Sequence, residues 1–206
     1  MIFTRFSRHI VTTIIVFGLA ACAVAPTLTG SWRDDTYTGK FHDVLVVGIS
    51  GNQTARRLFE NSMADALKAH GVEATALFRV SPGDAIPDKA TIETAVEKHT
   101  FGSVITTRMI GKDKETRYVP GATYVPPPNY YYGMYNYVGT VYPVVRDPGY
   151  LVNDTIVSLE SNGYDTATDK LVWSITTELF NPGDLQKEIQ GLTELIIEHL
   201  QSNGLI

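Results

Sequence analysis

Apolar and polar positions alternate with periods that change from one segment to the next. Asp43-Val-Leu-Val-Val-Gly-Ile49 is a short, nearly continuous apolar run rich in Val and Ile, the pattern of a central strand covered on both faces. Ser50-Gly51-Asn52 turns the chain, and Asn52 is placed to cap a helix over residues 53–69. Leu58, Phe59, Met63, Ala66 and Leu67 then recur at spacings of three and four, which gives that helix one apolar face, and Gly71 stops it. Residues 72–78 alternate as a second strand, with Val72, Ala74, Ala76 and Phe78 opposite Glu73, Thr75 and Leu77. A Pro/Gly loop over 81–87 leads to a helix over 88–98, with Ile92, Ala95 and Val96 inward, and a third strand over 102–110. Strand, helix, strand, helix, strand in that order favours a parallel sheet.

A charged stretch, 112–117, ends this series, and no period of 2 or 3.6 survives over 118–150. Alternation returns over 151–161. The turn signals Asn162-Gly163 and Asp165 to Asp169 then lead into a partner strand over 170–180, which predicts an antiparallel hairpin. Asn181-Pro-Gly-Asp184 opens a last helix with Leu185, Ile189, Leu192, Ile196 and Leu200 as its spine and Gly204 as its stop. The predicted class is α/β: a two- or three-layer sheet of about five strands, parallel at the start and antiparallel in the final hairpin, with about three helices.

The amino end has a different character. Arg5, Arg8 and His9 precede the apolar stretch Ile10 to Leu19, and Leu19-Ala-Ala-Cys22 closes it. At about ten residues the stretch falls short of the roughly 20 that span a bilayer, so it reads as a secretory signal. Leu-Ala-Ala-Cys resembles the box at which bacterial lipoproteins are cut and acylated, which implies a lipidated Cys22. Acyl chains at ~0.8 kcal/mol per buried methylene would give a stable membrane anchor. The expected organisation is a signal peptide over 1–21, lipidated Cys22 and a tether over 22–40, and one α/β domain over 41–206 carrying an insertion at 118–150. Ala23, where an Asp would favour retention in the inner membrane, points to the periplasmic face of the outer membrane. Cys22 is the only cysteine, so the fold has no internal disulfide. The net charge of −5 becomes more negative once Arg5 and Arg8 are removed, which disfavours nucleic acid as a partner.

Asp43 to Ile49, Thr54-Ala-Arg-Arg-Leu-Phe-Glu60, Met63-Ala-Asp-Ala-Leu-Lys-Ala-His-Gly71 and Asp165-Thr-Ala-Thr-Asp-Lys-Leu-Val-Trp-Ser174 together resemble a group of bacterial outer-membrane lipoproteins. Their soluble parts are similar to the amino-terminal domain of TolB and the periplasmic core of CsgG. The resemblance covers residues 41–110 and 151–203. It implies an α/β fold and an envelope role, and it lends no catalytic residues.

Site chemistry is sparse. The turn Gly48 to Thr54 precedes a helix but lacks the Gly-Lys-Ser/Thr ending of a phosphate loop, so it reads as a plain turn. His42, His70, His99 and His199 stand alone near element edges and read as surface residues; no metal or cofactor is expected. Ser103, Ser158 and Ser174 lie in strand sequence with no nucleophile elbow, so no enzyme activity is expected. Trp173 reads as a core residue, and Trp32, in the tether, as a side chain able to pin that tether to the domain.

The strongest functional signal is compositional. Residues 118–150 hold nine of the 11 tyrosines and six of the 10 prolines. Tyr124, Tyr130, Tyr131, Tyr132, Tyr135 and Tyr137 are the candidate binding residues, with Val125-Pro-Pro-Pro128 stiffening one arm. Tyrosine gives large contact area at low entropic cost, so the leading expectation is a surface for an envelope protein partner or for self-association. Flat rings also stack on sugars, and the second expectation is a cell-wall or surface glycan. An enzyme acting on an envelope polymer stands third.

Overall fold

A computed structural model describes residues 25–83, 85–121 and 149–206, and the apolar run predicted as the central strand lies in the middle of it. Strand β2 (Val44–Ile49) is buried along its length. Val44 and Val46 face one layer, with helices α1 (Gln53–Ala69) and α4 (Leu185–Ser202). Leu45 and Val47 face the other, with a single helical turn, α2 (Leu77–Val80), and helix α3 (Lys89–His99). Burial on both faces is why this strand shows no alternation in sequence.

The sheet has six strands in the order β1-β6-β5-β4-β2-β3, with β1 Thr27–Arg33, β3 Ala74–Ala76, β4 Ser103–Val119, β5 Tyr150–Asp165 and β6 Lys170–Phe180. β2 runs parallel to β3 and β4, and all other pairs are antiparallel. The mixed α/β class is as expected from the sequence. Helix α1 begins at its predicted cap, where Asn52 Oδ1 accepts from Ala55 N at 3.1 Å, and α4 opens after the predicted 181–184 segment, where Asp184 Oδ1 accepts from Gln186 and Lys187 N. Trp173 is fully buried, as expected, in the core formed with α1 and α4.

Several expectations are corrected. The presumed tether contains β1, an edge strand paired to β6 from Thr27↔Glu178 to Arg33↔Trp173. Pairing uses backbone groups, so an edge strand can be as polar as Thr-Leu-Thr-Gly-Ser-Trp-Arg. Trp32 does not pin the chain by packing, since it is 49% exposed; the ladder to β6 does. The second strand shortens to Ala74–Ala76, because Glu60 Oε2 accepts the Phe78 amide at 3.0 Å and the chain coils into α2. Asn162-Gly163 is not a turn but lies within β5. A Cβ at Gly163 would sit 2.5 Å from Phe41 Cζ and 3.4 Å from Trp173 Cε3, so glycine serves close packing there. The turn comes at 166–169, where Asp165 Oδ2 accepts from Thr168 N at 3.0 Å and Asp169 has φ 55°.

The largest difference is the length of β4 and β5. The charged stretch 112–117 continues β4, paired without interruption to β5 as far as Val119↔Tyr150. β2 leaves β4 at Arg108, and β6 leaves β5 at Ile156. The two strands go on as a ribbon exposed on both faces, which explains why no core-driven period marked its β4 half.

Candidate functional site

The ribbon is built on a register shift between Met109 and Gly111, a bulge that increases local twist where β4 leaves the sheet. Beyond it, Lys112, Lys114, Thr116 and Tyr118 share one face by alternation, and Asp113, Glu115, Arg117 and Val119 share the other. Its root is locked at Asp154, buried despite its charge. Asp154 Oδ1 accepts from Asn181 Nδ2 at 2.8 Å, and Arg117 Nε lies 3.5 Å from its Oδ2. Asn181 Oδ1 in turn accepts the Thr155 amide at 2.6 Å, and the Asn181 amide donates to the Thr155 carbonyl at 2.7 Å. This side chain extends the β6 ladder by one rung, and the αL backbone of Asn181 (φ 48°) then turns the chain into α4. Past Asp154 the ribbon stands free of β6 for about 15 Å at ~3.3 Å per residue.

Its last rung is Val119↔Tyr150. The Tyr/Pro-rich segment therefore leaves and returns at one point, flanked by Tyr118 at 60%, Tyr150 at 59% and Leu151 at 66% exposure. Tyr124, Tyr130, Tyr131, Tyr132, Tyr135, Tyr137 and Cys22 lie outside the described residues.

At the ribbon's base, between the amino-terminal ends of α1 and α4, the sheet is left open in a groove of about 370 Å³. Phe59, Leu159, Leu179, Leu185 and Ile189 line it, and Arg108 and Glu188 stand at its rim. Beyond the apolar spine of α4, no pattern in the residues announces this groove. Arg108 Nε is paired to Glu160 Oε2 at 2.8 Å. Arg56, buried on α1, directs its guanidinium at the carbonyls of Gly83 (2.5 Å) and Ala85 and so braces the 81–87 loop. Glu60, fully buried one turn on, accepts the amides of Gly48 at 2.9 Å and Phe78 at 3.0 Å. Burial pushes its carboxyl above the usual carboxylate range, against the opposing pull of those two amides, Arg56 and Arg57. These charged groups fasten backbone; the groove itself presents apolar surface.

Of the four histidines read as surface residues, His199 is not one. It is half-buried on α4 with Nδ1 2.9 Å from Trp173 Nε1, and burial lowers its pKa. Ser103 is buried on β4, Ser158 is half-buried opposite Gly111, and Ser174 pairs with Trp32 in the β1–β6 ladder. Among the described residues no three His, Cys, Asp or Glu side chains group closely enough to hold a metal ion. Among the same residues no helix is long and apolar enough to cross a membrane.

No protein-family model and no curated protein matches the chain, so the resemblance to the TolB and CsgG domains rests on the residues quoted for it. Among solved structures the chain is similar to the PelC dodecamer from Paraburkholderia phytofirmans, at 13% identity over 85% of this chain and 97% of that one, with a TM-score of 0.47. It is similar also to lipoprotein GNA1162 from Neisseria meningitidis, at 13% identity over 79% of this chain and 96% of that one, with a TM-score of 0.41.

Proposed function

We propose that this chain is a non-catalytic binding or assembly module of a bacterial cell envelope. It is anchored through lipidated Cys22 at the periplasmic face of the outer membrane and presents its Tyr/Pro-rich segment to a protein partner. The observation that carries this reading is the ribbon. Two strands extend beyond every neighbouring strand and end at Val119↔Tyr150, bringing both ends of the tyrosine-rich segment to one exposed point. A locked root at Asp154 and Asn181 limits the motion of such an arm, which lowers the ordering cost of binding at its tip.

The test is crosslinking in cells followed by pull-down of the membrane-anchored protein, comparing wild type with a deletion of 120–148. Loss of a specific protein with the deletion supports the reading, and an unchanged set of partners removes the segment from it. A glycan ligand is separated by a second comparison. It requires wild type to be retained on envelope glycan and the variant with Tyr130, Tyr131 and Tyr132 all changed to Ala to pass through.

A further inference from the structure

β2, β3, β4 and β6 run in one direction and β1 and β5 in the other. One end of the sheet therefore gathers the start of β1, the ends of β2 and β6, the ribbon and the first turns of α1 and α4. Nine of the ten large apolar or aromatic side chains that remain exposed among the described residues lie at this end. Besides Tyr118, Tyr150 and Leu151 on the ribbon they are Leu28, Ile86, Met109, Ile110, Phe180 and Leu185. Ile86 belongs here because its Cδ1 lies 3.8 Å from the Cβ position of Gly51, in the turn before α1. Only Trp32, opposite Ser174 in the lower half of β6, lies away from it. Single exposed apolar side chains are ordinary on a protein surface, but their collection on one end marks an interaction site.

The chain also enters at this end. Ala25 and Pro26 lead directly into Thr27, which pairs with Glu178 two residues before the end of β6, and the Pro26 ring lies against Gly191 of α4. Cys22 is three residues before Ala25, and three residues reach at most about 11 Å. Because the chain is already paired to β6 from Thr27 onward, a lipid on Cys22 holds this end of the domain within that distance of the bilayer.

We infer that the ribbon end of the domain rests on the bilayer to which Cys22 is anchored, with Leu151 and Leu185 among the apolar side chains that meet it and Tyr118 and Tyr150 at the interface, where tyrosine is favoured. The inference rests on the lipidation of Cys22 proposed above. It places Val119 and Tyr150, between which the Tyr/Pro-rich segment runs, at the membrane surface, so the partner of that segment is met at the bilayer and not out in the periplasm. Charge on this end is mixed: Lys112, Lys114 and Arg117 are interleaved with Asp113, Glu115 and Asp184. Adhesion is thus apolar, and it needs no anionic lipid and responds little to salt.

The full acylated protein tests this in phosphatidylethanolamine/phosphatidylcholine vesicles. With Cys22 blocked by its thioether, Leu151→Cys, Leu185→Cys and Gln201→Cys each add a single free thiol for an environment-sensitive fluorophore. Gln201 is the control, exposed near the far end of α4. The inference expects probes at 151 and 185 to shift to the blue and lose most of their emission to nitroxide-bearing lipids, with 201 unaffected. Probes that behave like 201 in an acylated, vesicle-bound protein overturn it and leave the anchor standing. A blue shift without quenching also overturns it, since a second copy then covers this end. A mature protein whose mass carries no acyl chains on Cys22 sinks the anchor and this inference together.

Discussion

The indole Nε1–H of Trp173 donates to Nδ1 of His199 at 2.9 Å, joining the middle of β6 to the last turn of α4. Asn203 Nδ2 faces the same nitrogen at 3.1 Å, so Nδ1 must be unprotonated. Burial holds the imidazole below its ordinary pKa of about 6.5. A group whose folded pKa is depressed contributes stability that is complete above its unfolded pKa and is lost as pH falls through the folded value. The melting temperature should therefore fall as pH drops from 7 to 5. His199→Gln, whose carbonyl can still accept from Trp173, should show a shallower fall. Thermal unfolding followed by tryptophan fluorescence at several pH values measures both, and parallel curves would refute the assignment.

Glu60 holds the end of β2 and the start of α2 through one carboxylate. Glu60→Ala leaves the buried amide of Gly48 and the part-buried amide of Phe78 without an acceptor, the buried one costing about 1–3 kcal/mol and the other less. Glu60→Gln keeps one acceptor oxygen and should cost less. Urea denaturation ranks the two variants, and equal stability of Glu60→Ala and wild type would show that water replaces the carboxylate.

Gly163 packs beneath Phe41 and Trp173. Gly163→Ala should destabilise by about 1–3 kcal/mol, the usual cost of overpacking, despite the better fit of alanine to a strand. If residue 163 were instead in an open turn, as Asn-Gly implies in sequence, the same change would be nearly neutral in urea denaturation.

That glycine shows where reading the sequence works and where it stops. Elements that bury one face against the core carry a period, and α1 and α4 are legible to within a residue, down to the capping role of Asn52. Elements held chiefly by backbone pairing carry none: β1 reads as a tether and 112–117 as a charged stretch that ends the series, because neither buries a continuous apolar face. Asn162-Gly163 has the composition of a turn, and only the distant Phe41 and Trp173 decide otherwise. The candidate site divides the same way. The tyrosines announce themselves by composition, whereas the ribbon that carries their segment and the end of the sheet where it meets the chain's entry follow from strand directions, which are long-range.

The ribbon's root gives a further prediction. Asp154→Ala removes the acceptor of Asn181 Nδ2 and the partner of Arg117. Amides of 115–119 and 150–154 should exchange with solvent faster, while those of β2 and α1 keep their protection. Hydrogen exchange resolved by residue separates this local loosening from global unfolding, which would raise exchange everywhere.

The most direct measurement places a photo-crosslinking amino acid at Tyr150, on the last rung of the ribbon, and at Gln201 as the control, in cells carrying the full chain. A protein adduct specific to position 150, lost when 120–148 is deleted, is the predicted result. Adducts identical at the two positions, or a position-150 adduct that survives the deletion, would contradict a binding module that works through the ribbon's tip.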